Sequence, residues 1–155
     1  MDPELDLTLE RRISASPAAV WRALSEPALF ERWWLPAPVR CRVERFEAVA
    51  GGTLVTSLSE DGSVFVPHLD ARFLEAEPTR RIVFTNAIDA SGRPAAPEPV
   101  AVTGAFDLLA DGDGTLVRVI AQHASAEARA LHDELGFEEG WGTALAQLAE
   151  VAEAL

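Results

Sequence analysis

Cysteine occurs once in the 155 residues, at Cys41, so no internal disulfide can form. No histidine or second cysteine lies beside it in sequence, which predicts an ordinary strand residue rather than a reactive thiol. A lone thiol also fits a reducing, cytoplasmic setting. No run of 18 or more apolar residues exists, which excludes a membrane-spanning helix. The opening MDPELDLTLERR is acidic and lacks an apolar stretch, so no secretory signal is expected. Basic residues are few: 13 Lys and Arg against 25 Asp and Glu leave a net charge of −12 and a pI of about 4.6. That sign repels phosphate backbones and anionic lipid, so neither nucleic acid nor a membrane is expected as a partner. Arg11, Arg12, Arg40, Arg42, Arg45, Arg80 and Arg81 are read as scattered strand-face residues, not as a basic patch.

Chemical motifs are scarce too. No H-x-x-x-H and no Cys/His cluster is present, so no metal and no cofactor are expected. G-x-S-x-G, G-x-G-x-x-G, a P-loop and a nucleophile triad are all missing. Asp111-Gly112-Asp113-Gly114 lacks the later ligands and terminal Glu of a calcium loop and is a hairpin turn instead.

What is present is a globular composition. Hydrophobic residues make up 48% and the mean hydropathy is slightly positive. The length suggests one domain, residues 1–155, burying roughly 68–70% of its unfolded surface. The rest of the chain is organised around Gly136 to Leu155. Phe137, Trp141, Leu145, Leu148 and Val151 or Ala152 form one helical stripe, while Glu138, Glu139, Thr143, Gln147, Glu150 and Glu153 mostly fill the other side. Such a helix spans roughly 27 Å and must be received by an apolar surface.

Upstream the text is strand-like. Leu5, Leu7 and Leu9 alternate with polar residues and run on to Ile13. Ser16 caps and Pro17 opens a short helix with Val20, Trp21 and Leu24. Pro27 opens a second one carrying Leu29, Phe30, Trp33 and Trp34, which Pro36 and Pro38 end. Arg40 to Val49 alternates until Phe46 falls out of phase, as a bulge would cause. Gly51-Gly52 turns the chain into Thr53 to Leu58. Phe65 to Glu75 follows, with Pro67 placing its start at an edge or bulge. Arg81 to Ile88 puts Ile82, Phe84 and Asn86 on one face, and Asp89 to Pro99 is a loop. Val100 to Leu109 and Thr115 to His123 form a hairpin, with Val102, Gly104, Phe106, Leu108, Val117, Val119, Ala121 and His123 inward. Ser125 caps a short helix, Ala126 to Leu135. The order predicts an α+β fold: a curved antiparallel sheet of about six to seven strands wrapped round one long C-terminal helix, with two short helices after the first strand. A concave sheet under a helix is a natural place for a pocket.

Several segments carry a resemblance. They are Arg11 to Leu24 (RRISASPAAVWRAL), Glu26-Pro27 to Trp33-Trp34, Ala50-Gly51-Gly52, Asp61-Gly62 and Arg81-Ile82-Val83-Phe84-Thr85. To these add Val102-Thr103, Gly114-Thr115 and Gly136-Phe137-Glu138-Glu139-Gly140-Trp141 with Leu145 and Leu148. In this order and spacing they resemble the START-like helix-grip superfamily (SRPBCC), in the branch of homologues of the heat-shock-protein-90 ATPase activator, over residues 5 to 152. The resemblance implies the helix-grip fold and a cavity between sheet and C-terminal helix. Its members include ligand carriers, cyclases and stress-linked proteins, so the fold does not settle the activity. Ala71 departs from the family, which often has Gly there. A true co-chaperone activator would carry a further chaperone-binding domain, for which 155 residues leave no room.

Candidate cavity residues are Trp33, Trp34, Phe73, Phe84, Phe106, Val119, Trp141 and Leu145 as apolar walls, with Asn86 and His123 as polar groups that orient a ligand. Asp70 or Glu75 would join His123 in acid–base work if their strands were adjacent. Three functions follow. The first is binding of a small apolar or amphipathic molecule in the cavity. The second is a cyclase- or hydratase-type enzyme using His123 or a carboxylate. The third is a stress-linked protein-interaction module. A homodimer is compatible with the sequence, but no feature demands one.

Overall fold

The computed structural model describes all 155 residues. Alternating apolar residues build seven strands: β1 (Asp6–Ile13), β2 (Arg40–Phe46), β3 (Thr53–Ser59), β4 (Val66–Glu77), β5 (Arg81–Thr85), β6 (Thr103–Asp111) and β7 (Gly114–Gln122). Every pairing is antiparallel, in the order β1-β7-β6-β5-β4-β3-β2. The first two strands therefore lie on opposite edges. The chain between them, with α1 (Pro17–Ser25) and α2 (Pro27–Phe30), crosses the whole sheet. After β7, α3 (Ala126–Glu134) leads into α4 (Phe137–Glu153), which packs against α1 and β1. This is the expected α+β helix-grip architecture.

Three bulges help bend the sheet into a concave surface. They leave Glu44 of β2 and His68 and Leu74 of β4 outside the ladder. The first explains the lost phase at Phe46, whose ring then meets Phe30 and Phe73 at 5.2 and 5.3 Å. The second sits next to Pro67, as that residue's missing N–H requires. On the convex face, Glu10, Arg118, Asp107, Arg81 and Glu75 line up across neighbouring strands with alternating sign. Arg118 pairs with Glu10, and Arg81 with both Asp107 and Glu75. These half-exposed pairs contribute little each, but they set which face meets water.

Most of the concave face and of the helix stripe make one core, with Leu7, Ala121 and Phe137 in a smaller cluster beside it. The larger core joins Ile13, Leu54, Phe73, Phe106 and Val117 from the sheet to Val20 and Leu24 of α1 and to Leu145, Leu148, Val151 and Ala152 of α4. Ser16 accepts a hydrogen bond from Ala19 N at the start of α1, and Ser125 one from Ala128 N at the start of α3. Both caps match their expected role.

Three local expectations need correction. The second helix stops at Phe30, and Glu31 to Trp34 continues in tight turns, with Trp33 N and Trp34 N both donating to Phe30 O. Tertiary bonds replace helical ones there: Gln147 Nε2 donates to the carbonyls of Trp33 and Leu35 at 2.9 and 2.8 Å. Gln147 Oε1 also accepts from Ala37 N at 2.9 Å. Gln147 thus leaves the solvent side of α4 and acts as a clamp. Strand β6 begins at Thr103, not Val100, because Asn86 Oδ1 accepts from Val102 N and Asn86 Nδ2 donates to Val100 O.

Candidate functional site

The site lies where α4 crosses the concave face, and aromatic rings fill it. Trp141 lies nearly parallel to Phe84, at 6.4 Å and 8°, and stacks on Phe106 at 6.0 Å. Gly104 of β6 makes this possible: a Cβ there would stand 2.9 Å from Phe84 Cζ and 3.2 Å from Trp141 Cη2. Trp34 meets Trp141 and Phe84 edge-on at 6.1 and 5.5 Å and stacks on Phe30 at 5.0 Å. Trp33 is fully buried, meets Phe106 at 5.7 Å, and donates from Nε1 to the Ala23 carbonyl at 2.8 Å. Val119 and Leu145 are buried in the same core. Phe73 sits there too, with Phe46 as its ring partner.

The polar candidates are already occupied. Both polar atoms of Asn86 brace the β5–β6 connection. His123 uses both ring nitrogens, Nδ1 against Leu5 O at 2.8 Å and Nε2 against His132 Nδ1 at 2.7 Å. A carbonyl only accepts, so His123 Nδ1 carries the hydrogen. His123 Nε2 is then the acceptor for His132 Nδ1–H in the neutral pair. The remaining imidazole nitrogen, His132 Nε2, has no hydrogen-bond partner within the protein. His132 therefore belongs to the site although sequence spacing did not single it out. It stands nine positions from His123, and only the turn between β7 and α3 brings the two rings to 5.0 Å. Its ring also meets Phe137 at 5.2 Å and Trp141 at 6.2 Å, which joins the dyad to the aromatic set.

The proposed carboxylate partners of His123 do not meet it. Strands β5 and β6 separate β4 from β7, which places Asp70 and Glu75 roughly 14 Å or more away at about 4.8 Å per strand. Asp70 instead accepts from Ala90 N at 2.7 Å, and Glu75 pairs with Arg81 at 3.2 Å. Cys41 is a buried strand residue. Burial pushes its thiol up to about 12, with a further push from the Glu31 charge, so it is protonated and inert at neutral pH.

Helix α3 has no buried residue, and Arg129 Nε donating to Asp6 O at 3.1 Å is one of its ties to the sheet. The histidine dyad is another. Burial, followed by the neighbouring His123, lowers the His132 pKa below the ordinary 6.5, and Asp133 partly opposes this. The unfolded chain then binds the proton first as pH falls. The contribution of neutral His132 is complete above about pH 6.5 and is lost as pH drops through the lowered folded value. The urea midpoint should fall between about pH 7.5 and about pH 5, and His132→Gln should make that fall shallower. An unchanged slope in the variant would remove the dyad from the acid response.

Three of the surface clefts have volumes of about 270, 210 and 320 Å³. The first is bounded by Arg80, Arg81 and Arg118 among carboxylates, and the third by Met1, Thr8 and Ile120. The second is lined by Ala87, Ala101, Val102, Thr103, Gln122 and His123 with Ala124, and of these three it alone includes a candidate residue, His123.

The family model described as "Activator of Hsp90 ATPase homolog 1-like protein" matches residues 14–153. A protein from Nitrosomonas europaea of known structure is 32% identical, covers 99% of this chain and 97% of its own, and superposes with a TM-score of 0.88. One from Arthrobacter aurescens is 22% identical over 98% of this chain and 88% of its own, with a TM-score of 0.82. The AHSA1-like protein from Aeromonas hydrophila is 20% identical over 97% of this chain and 93% of its own, with a TM-score of 0.68. No curated protein matches the sequence. No helix is long and apolar enough to cross a membrane. With the family model spanning nearly the whole chain and the helix-grip fold in place, the chain belongs to the activator of Hsp90 ATPase homolog 1-like family.

Proposed function

We propose that the protein binds a small apolar or amphipathic molecule between the sheet and α4, in a slot opened when the Trp141 ring swings away from Phe84 and Phe106. The observation that carries this is the setting of Trp141. Its ring is only half-buried, although it covers the concave face. Gly140 and Gly142 flank it on a helix. A Cβ at Gly140 would meet nothing within 4 Å, and one at Gly142 only Leu9 at 3.8 Å. Packing therefore demands neither glycine, yet each costs a helix interior about 1 kcal/mol relative to alanine. Two glycines near the start of the helix and a ring that is only partly covered are what an opening slot needs. Its walls would be Trp34, Phe84 and Phe106, apolar surfaces suited to a hydrophobic body.

Native mass spectrometry of the purified protein, followed by denaturing extraction, tests this directly. A retained small molecule, or saturable uptake of small apolar compounds that quenches tryptophan fluorescence, is the expected result. A persistently empty protein that also ignores a broad panel of such compounds would sink the proposal. Gly140→Ala provides a second check. Stability should rise by about 0.4–1 kcal/mol, or roughly 1–4 °C in Tm, while ligand entry slows. Unchanged entry in the stabilised variant would show that the helix start does not gate the slot.

Acid–base catalysis has one observation in its favour, the histidine dyad beside Trp141 with His132 Nε2 unengaged. His132, not His123, would then exchange the proton. Turnover that survives His132→Gln with an unaltered pH profile would exclude it.

A further inference from the structure

The geometry points to Trp34 as the residue that selects the ligand: its indole N–H takes a hydrogen-bond acceptor, so the slot prefers an apolar body bearing a neutral carbonyl, ester or ether oxygen over a plain hydrocarbon. This rests on the ligand-binding function proposed above and names the class of molecule.

Trp34 Nε1 is the one buried side-chain polar atom in the protein without a hydrogen-bond partner. Its neighbour Trp33 meets the same requirement fully, donating to the Ala23 carbonyl at 2.8 Å. Adjacent indoles in one turn are thus treated differently, one satisfied within the chain and one left over. A buried donor without an acceptor is costly, and phenylalanine at position 34 would keep the ring packing without that cost. The edge-on contacts with Trp33, Phe84 and Trp141 offer the N–H at best a ring face, a weak substitute that an oxygen acceptor outcompetes.

Position and charge narrow the class. Trp141 stands edge-on to Trp34, so the swing that opens the slot also uncovers this indole. The rings around it, Phe30, Trp33, Phe84 and Trp141, carry no formal charge. A carboxylate would enter without a counter-charge in a chain of net charge −12, whereas a neutral oxygen loses far less on leaving water.

A matched pair of probes tests the inference: 2-acetylnaphthalene and 2-ethylnaphthalene, alike in size and shape and differing in one carbonyl oxygen. The intact protein should bind the ketone roughly fivefold or more tightly than the hydrocarbon, and Trp34→Phe should bring the ratio to about one. The unmodified protein supplies a second readout. Its Trp34 indole N–H resonance, identified by its loss in Trp34→Phe, should move downfield with the ketone and not with the hydrocarbon. Equal binding of both probes, or a ketone preference that survives Trp34→Phe, overturns the role of Trp34 and leaves the slot standing. If both probes fail to bind and nothing co-purifies with the protein, the slot and this inference fall together.

Discussion

Trp33→Ala should lower the unfolding free energy by about 3–5 kcal/mol, the range for removing a large aromatic side chain from a core. The side chain is fully buried and links four parts of the protein. Its ring meets Phe30 of α2 at 5.0 Å, Trp34 at 5.6 Å and Phe106 of β6 at 5.7 Å, and its indole N–H serves the Ala23 carbonyl of α1. Alanine would leave a cavity where α1 and α2 meet the sheet, and the Ala23 carbonyl would lose its side-chain donor. Against a typical total of about 5–15 kcal/mol, that is a large fraction of the stability. Urea unfolding followed by circular dichroism checks it. Trp33→Phe should recover much of the packing but not the hydrogen bond, with a residual loss of about 1 kcal/mol. A cost below about 1 kcal/mol for the alanine variant would mean that the site collapses around the missing ring.

Gln147→Leu should cost about 2–3 kcal/mol despite retaining the size of the side chain. One amide serves three backbone groups, the carbonyls of Trp33 and Leu35 and the N–H of Ala37. Each hydrogen bond contributes about 1 kcal/mol net, and the part-buried carbonyls cannot all regain water. Gln147→Glu keeps the acceptor but turns the donor side into a carboxylate facing two carbonyls, so it should be no milder. Amide exchange would localise the effect, with protection lost first at Ala37 if the clamp is correctly identified. Uniform loss of protection across the sheet would instead mean that the substitution acts on global stability alone. The clamp also bears on function. Trp33 and Gln147 hold the backbone on either side of Trp34, so they set the direction of the one indole N–H that has no partner. Both variants should weaken ketone binding as well as stability.

The fold was largely legible in the residues, because its signals are local. The period of two from Asp6 to Ile13 and from Thr103 to Gln122, Ser16 and Ser125 as caps, and the stripe from Phe137 to Ala152 all report the faces that elements present to a common core. Even the bulge near Phe46 was visible as a lost phase. The apolar candidates Trp33, Phe84, Phe106, Val119 and Leu145 entered the core for the same reason.

The polar half of the site was not legible, because it depends on which polar groups meet their partners. Asn86 and His123 fall on the inward face, as their phase indicates, yet backbone groups and the His132 ring, brought near by the fold, occupy their hydrogen-bonding atoms. Asp70 and Glu75 share the sheet with His123 but not a neighbouring strand, a matter of strand order that no residue spacing encodes. Gln147 sits at a solvent-side helical position and still turns to the segment after α2, because three backbone groups there lack partners of their own. The sequence by itself determined the elements, their apolar faces and hence the helix-grip architecture, since burial follows from period and propensity within a few residues. Only the tertiary structure decided which indole is satisfied and which is left over, that His123 spends its nitrogens on Leu5 and His132, and that Trp141 closes over Gly104. Those outcomes depend on distances between groups far apart in the chain, and hydrogen bonds and ring contacts form or fail within about an ångström.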